Sequence, residues 1–118
     1  MPVARHEFAR IPLLASLPGE VLNALAGKMR REDVAPGQTV VTEGEPGDRF
    51  YVVLTGILEV SQASRGPRTL LRPGEYFGEV ALAMDIPRTA SVRAVTPSTV
   101  ASCDRETFDE LIRPLFTG

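Results

Sequence analysis

The sequence predicts a mainly β domain, a sandwich or barrel of short strands with helices at its two ends. Three observations predict it. Gly and Pro number ten each, above the roughly 7% and 5% of ordinary usage, so turns are frequent. Turn signals recur every ~8–12 residues between short β-branched and aromatic runs. Helical spacing of apolar residues is confined to the two ends of the chain, apart from one short run taken up below. At 118 residues and 43% hydrophobic content, the chain is one domain's worth and can bury about two-thirds of its unfolded surface. The expected organisation is a single domain over 1–118: a helical N-terminal segment at about 8–31, a barrel at about 34–104 and a C-terminal helix at about 105–115.

The elements follow in order. LPGEVLNALAGKMRRE, from Leu17, puts Pro18 at a helix start and Val21, Leu22, Leu25 and Met29 at helical spacing. It predicts an amphipathic helix over 18–30 that packs its Val21, Leu25 and Met29 face. Pro36-Gly37 is a turn, QTVVTE a strand and GEPGD at 44–48 a loop dense in breakers. RFYVVLTG is β-branched, aromatic or aliphatic up to Gly56, a buried strand ending in a sharp turn. ILEVSQ continues as a strand, and a turn at 64–67 returns the chain through RTLLR to Pro73-Gly74. TASVRAV alternates Ala90, Val92 and Ala94 against Ser91, Arg93 and Val95, and STVASCD is one more strand. About seven or eight short strands result, for which a jelly roll is the closed arrangement that best protects the edges. In the segment 104–116, Asp104 can cap a helix whose first turn carries Glu106. Phe108, Leu111, Ile112 and Leu115 mark its buried side, and Pro114 bends or ends it.

Several function classes are disfavoured. Thirteen basic against fifteen acidic residues leave a formal net charge of -2, so no basic field gathers a nucleic acid backbone. The one cysteine, Cys103, has no partner for an internal disulfide and reads as a small buried hydrophobe, which points to a cytoplasmic setting. The N-terminus lacks the ~7–15-residue apolar core of a signal peptide, and nowhere is there the ~18-residue run needed to cross a bilayer. A single histidine, His6, near the terminus supports neither a catalytic triad nor a histidine metal cluster, so no enzyme, metal or cofactor is expected. There is no GxxxxGK[ST], and the sole lysine, Lys28, falls in the first helix, so a nucleoside triphosphate is not expected either.

The remaining run is YFGEVALAMDIPRTASV at 76–92, in which Glu79 and Arg88 bracket five apolar residues. Ala, Leu and Met favour a helix, Gly78 lets the backbone turn into it and Pro87 stops it. A helix this short has little stability of its own. Its free N–H groups, at residues 79–82, form an anion pocket. A carboxylate at the same place would repel a bare phosphate. Glu79 therefore either caps the helix or accepts from another part of the ligand, such as a ribose hydroxyl. Arg88 supplies a fixed charge and a planar fork suited to phosphate oxygens.

GEYFGEVALAMDIPRTASVRA closely resembles the phosphate-binding cassette of cyclic nucleotide-binding domains. That pattern is F-G-E-(aliphatic)-A-L, a short variable stretch, then P-R-(T/S/A)-A, and Phe77, Gly78, Glu79, Val80, Ala81, Leu82, Pro87, Arg88, Thr89 and Ala90 fill it. The resemblance extends over about 8–116 and implies an eight-stranded jelly-roll β-barrel with an N-terminal helix, a short phosphate-binding helix and a C-terminal helix. It implies that Glu79 accepts the ribose 2′-hydroxyl and that Arg88 holds an exocyclic phosphate oxygen. Backbone amides near Ala81, Leu82 and Ala90 complete the cradle, while Gly78, Val80 and Thr89 belong to the same ligand-binding set. Asp48, after the loop glycine, is expected to pair with Arg88. The implied ligand is cyclic AMP, with cyclic GMP the other candidate because Thr89 offers a hydroxyl to a guanine amino group. The implied role is a regulatory sensor that moves flanking helices and acts on an effector domain or protein not contained in this chain. The competing expectation is an interaction module of the same fold that binds no ligand.

Overall fold

A computed structural model of the chain describes residues 5–8, 10–64 and 66–117, with the side chains of residues 5, 6, 66–68 and 117 outside the description, that of His6 among them. Three helices open it: α1 (Arg5–Phe8), α2 (Pro12–Ala15) and α3 (Gly19–Lys28). Eight strands follow among the described residues: β1 (Arg30–Val34), β2 (Thr39–Val41), β3 (Arg49–Thr55), β4 (Leu58–Gln62), β5 (Gly66–Leu71), β6 (Tyr76–Phe77), β7 (Ser91–Ala94) and β8 (Ser98–Asp104). A short helix, α4 (Glu79–Met84), lies between β6 and β7. After β8 come α5 (Arg105–Thr107), a π-helical turn (Phe108–Ile112) and α6 (Pro114–Thr117).

The strands form two four-stranded antiparallel sheets, ordered β1-β8-β3-β6 and β2-β7-β4-β5. This is the expected mainly β jelly-roll architecture with flanking helices. The near-continuous apolar run of β3 has a direct cause, because both of its faces are covered. Tyr51 and Val53 point between the sheets, where they pack with Val34, Leu58, Phe77, Val92 and Val100. Phe50 and Val52 point the other way, into a second core with Phe8, Leu14, Leu25, Leu82, Phe108 and Ile112. The helices thus cover the outer face of the β3 sheet, and Leu82 anchors α4 to that same core.

Three expectations need correction. The first long helix starts after Pro18 and ends at Lys28, and it buries Leu22, Leu25 and Ala26, with Met29 following, while Val21 is only half-buried. The residues RREDV, expected partly as helix with the barrel starting at about 34, are strand β1. β1 is an edge strand, so its charged side chains, exposed at Arg30, Glu32 and Asp33 and half-buried at Arg31, guard the edge while Val34 alone is buried. The C-terminal helix is not continuous, since Arg113 N–H donates to the Phe108 carbonyl at 2.7 Å, five residues back. Pro114, which has no N–H and would crowd the carbonyl four residues before it, then begins a new helical turn. Asp104 caps α5 as expected, its Oδ1 accepting from Thr107 N–H at 2.9 Å.

Candidate functional site

The site is built around α4. Gly78 precedes it with φ of 97°, the left-handed region where side chains are strained. A Cβ at that position would lie 2.8 Å from Arg88 Nη1 and 2.9 Å from the Arg49 carbonyl oxygen. Glycine is therefore needed for conformation and for space. The first bond within α4 runs from Leu82 N–H to the Gly78 carbonyl at 3.4 Å, which leaves the amides of residues 79–81 without helical partners. At the other end Asp85 takes a left-handed conformation, φ 54°, and its amide closes onto the Ala81 carbonyl.

Arg88 arrives three residues beyond Asp85 and is 7% exposed. Its backbone is fixed to the loop before β3: Arg88 N–H donates to the Glu45 carbonyl at 2.8 Å, and Gly44 N–H donates to the Arg88 carbonyl at 2.9 Å. Its guanidinium donates through Nη2 to the Arg49 carbonyl at 2.9 Å and lies 5.7 Å from the centroid of the Tyr51 ring. Tyr51 is itself stacked on Phe77, with centroids 4.8 Å apart and planes 4° from parallel. A cation over an aromatic face is attracted by the ring quadrupole, so this stack supports the guanidinium from one side. Gly47 makes the close packing possible, because a Cβ there would collide with Ala81 Cβ and approach Arg88 Nε to 3.3 Å.

Two polar atoms in this cluster are buried without a hydrogen-bond partner among the described residues: Arg88 Nη1 and Glu79 Oε2. Leaving such groups unsatisfied costs about 1–3 kcal/mol each, more when they are charged. Burial pushes the Glu79 carboxyl above the ordinary glutamate range, against the opposing pull of its own backbone amide and of Arg88. Burial likewise lowers the Arg88 pKa, opposed by Tyr51, Asp48 and Glu79. A guanidinium stays charged through such a shift. Glu79 is not the cap of α4, since the N-cap residue is Gly78 and no side chain caps it. Its free oxygen is available to a donor from outside the chain.

Of the residues singled out in the sequence, Gly78, Glu79, Val80, Ala81, Arg88, Thr89 and Ala90 line one cleft of about 180 Å³. Val41, Val60, Leu71 and Val92 form its apolar wall. Leu82 does not line it: its side chain is fully buried in the helix-side core, and its amide is directed to the Gly78 carbonyl. Asp48 is not in the cleft either. It is exposed and lines a separate hollow of about 320 Å³ that shares Val41 and Arg88 with the cleft. No Asp48–Arg88 ion pair occurs among the described residues, and the Arg49 carbonyl takes the guanidinium bond expected of that carboxylate. Asp48 acts on Arg88 only through its charge.

Sequence reasoning missed Gly47, the Arg49 carbonyl and Tyr51. The apolar pattern of β3 hid Tyr51, and only its partnership with an arginine far along the chain marks it. Cys103 is fully buried and its thiol is pushed up to about 12 by burial, so it is a core residue and not a nucleophile. A larger hollow of about 460 Å³ shares no lining residue with the cleft. It carries the ion pair between Arg31 and Glu7. No helix among the described residues is long and apolar enough to cross a membrane.

Comparison with known proteins gives a consistent result. The sequence model of the family described as cyclic nucleotide-binding domain matches residues 31–114. Among curated relatives, the cAMP-dependent protein kinase regulatory subunit of Yarrowia lipolytica is 42% identical over 106 residues, 89% of this chain and 28% of the relative. That of Debaryomyces hansenii is 38% identical over 104 residues, 88% of this chain and 23% of the relative. The chain thus spans about a quarter of the length of these relatives. Among solved structures, the regulatory domain of Toxoplasma gondii PKA with cAMP superposes with a TM-score of 0.87 at 28% identity, covering 94% of this chain and 44% of the other. The regulatory subunit of a cAMP-independent protein kinase A from Trypanosoma cruzi bound to guanosine gives 0.85 at 25% identity, covering 94% and 41%.

Proposed function

The chain belongs to the cyclic nucleotide-binding domain family, and from that membership we propose that it is a cyclic AMP sensor that regulates an effector through its flanking helices. The observation that carries the reading is the pair of buried, unpartnered atoms, Arg88 Nη1 and Glu79 Oε2, at one cleft. One is a cation donor and the other an acceptor. A ligand that satisfies both needs an anionic oxygen and a hydroxyl donor on one small molecule, which a ribose cyclic phosphate carries on one rigid pair of fused rings.

In this reading Arg88 holds an exocyclic phosphate oxygen, the amides at residues 79–81 add the helix-end donors, and Glu79 accepts the ribose 2′-hydroxyl. Val41, Val60, Leu71 and Val92 offer the base an apolar wall. A charge-assisted bond from Arg88 contributes about 1.5–3 kcal/mol, whereas micromolar affinity needs about 8 kcal/mol, so Arg88 acts together with the amides, Glu79 and that wall. The domain performs no chemistry itself and acts in the cytoplasm within a longer protein or assembly. Its relatives' names make a protein kinase catalytic subunit the effector class to test first.

The guanosine complex of the Trypanosoma cruzi relative supports a second reading, a nucleoside without phosphate. Arg88 argues against it here, since a neutral nucleoside leaves its buried charge without a counter-ion and offers Nη1 no anionic oxygen. Titration calorimetry with cyclic AMP, cyclic GMP and guanosine separates these readings. The expected result is saturable binding of cyclic AMP, weaker cyclic GMP and no guanosine. Guanosine binding at equal or better affinity would establish the nucleoside reading instead. No heat and no change in melting temperature with any of the three would leave the ligand-free interaction module standing.

A further inference from the structure

α4 ends in a way that leaves two of its carbonyls without backbone donors. The amides of Asp85 and Ile86 both turn back to the Ala81 carbonyl, so Leu82 loses its natural partner. Ala83 loses its partner because residue 87 is proline and has no N–H. Two arginines of the C-terminal helical segment supply the missing donors. Arg105 Nη1 donates to the Leu82 carbonyl at 3.2 Å, and its Nη2 to the Gly47 carbonyl at 3.1 Å and to Asp85 Oδ1 at 3.3 Å. Arg113 donates through Nη2 to the same Leu82 carbonyl and through Nη1 to the Ala83 carbonyl, both at 3.2 Å. Asp109 holds Arg113 in place, accepting from Nε at 3.0 Å and Nη2 at 2.8 Å.

The π turn is what makes this joint grip possible. Eight residues separate Arg105 from Arg113, which in a regular α-helix places them about 80° apart around the axis. One extra residue in a π turn sets the register back by about 100°, which returns the two arginines to nearly the same face. Their meeting on a single carbonyl is the result. Arg105 also reaches Gly47, whose missing side chain is what lets the loop before β3 pack against Ala81 and Arg88.

We infer that Arg105 and Arg113 are positioning residues of the cyclic nucleotide site: they clamp the C-terminal end of α4 to the C-terminal helical segment and so hold its N-terminal amides and Glu79 in the binding geometry. The inference rests on the ligand reading given above. It adds which side chains carry the connection, and that the π turn sets their register. Because the clamp joins two elements, the dependence is reciprocal. A phosphate that fixes α4 must also favour the docked C-terminal segment.

The test uses the 118-residue chain as wild type, Arg105→Met, Arg113→Met, the double variant and Arg113→Lys. Calorimetry with cyclic AMP is expected to show about tenfold weaker binding for each methionine variant. Arg113→Lys, which keeps a charge and a donor, is expected to recover most of that loss. Hydrogen exchange without ligand is expected to be faster at the Asp85 and Ile86 amides of the double variant and unchanged in the strands. With cyclic AMP, the segment 105–117 gains protection in wild type and not in the double variant. Wild-type affinity in the double variant, or unaltered exchange at Asp85 and Ile86, overturns the clamp. Failure of the wild type to bind cyclic AMP counts against the ligand reading alone, because the ligand-free exchange comparison still decides the clamp.

Discussion

Arg88 and Glu79 are expensive residues to bury, and their behaviour follows from what each lacks. Arg88 spends one amino group on the Arg49 carbonyl and keeps Nη1 unpaired, so Arg88→Ala removes the only buried cation that lines the cleft among the described residues. The expected outcome is loss of measurable cyclic AMP binding with the fold intact, checked by calorimetry beside circular dichroism. Glu79→Ala removes a charged acceptor from a hydroxyl donor, worth about tenfold or more in affinity. Its titration adds a pH dependence. Burial raises the Glu79 pKa above the ordinary glutamate value, and a bound hydroxyl donor favours the ionised form and lowers it again. Affinity is therefore complete above the raised ligand-free value and falls as pH drops through it, beginning at a higher pH than for an exposed glutamate. Stability without ligand runs the other way. The folded state binds this proton more tightly than the unfolded state, so Glu79 adds stability as pH falls through the folded pKa. Calorimetry across the acid range checks the first trend, and Glu79→Gln is expected to abolish it.

At the scale of elements, legibility tracked how local each cause was. The cap of α5 was readable because Asp104 and Thr107 are three residues apart. The Thr107 backbone N–H and hydroxyl hold the Asp104 carboxyl below its ordinary range. Asp104→Ala is expected to cost about 1 kcal/mol, near the middle of the range for lost N-caps. The wild-type contribution is present above the unfolded Asp pKa and is lost as pH falls through the depressed folded value. Urea unfolding of both proteins at neutral and acidic pH checks cost and sign together. β3 and β8 were readable from apolar content, and β8 has the expected limits. β1 was not, because the charges that protect an edge strand also erase the alternation that marks a strand. β6 has two residues and no pattern to read. The π turn could not be foreseen either: its sequence, FDELI, is ordinary helix-forming sequence, and the grip of Arg113 on α4 depends on a segment 30 residues earlier.

For the whole molecule, the sequence contained the cassette nearly complete, because Gly78 through Ala90 is one continuous stretch whose helix, stop and arginine are local features. What it could not contain was the frame around Arg88, which draws Gly47, Arg49 and Tyr51 from a distant strand and loop. That frame couples the site to global stability. Among the described residues, two buried groups, Glu79 Oε2 and Arg88 Nη1, are unsatisfied at the cleft beside α4, and a ligand that pairs both must stabilise the folded state over the unfolded one. At a free concentration one hundred times Kd, one-site linkage adds about 2.7 kcal/mol. For a domain of this size that corresponds to a rise in Tm of about 10 °C. Scanning calorimetry with and without cyclic AMP is expected to show that rise in wild type and none in Arg88→Ala. A rise of equal size in Arg88→Ala would place the bound nucleotide somewhere other than the α4 cleft, since no site there can hold a phosphate as well without its cation.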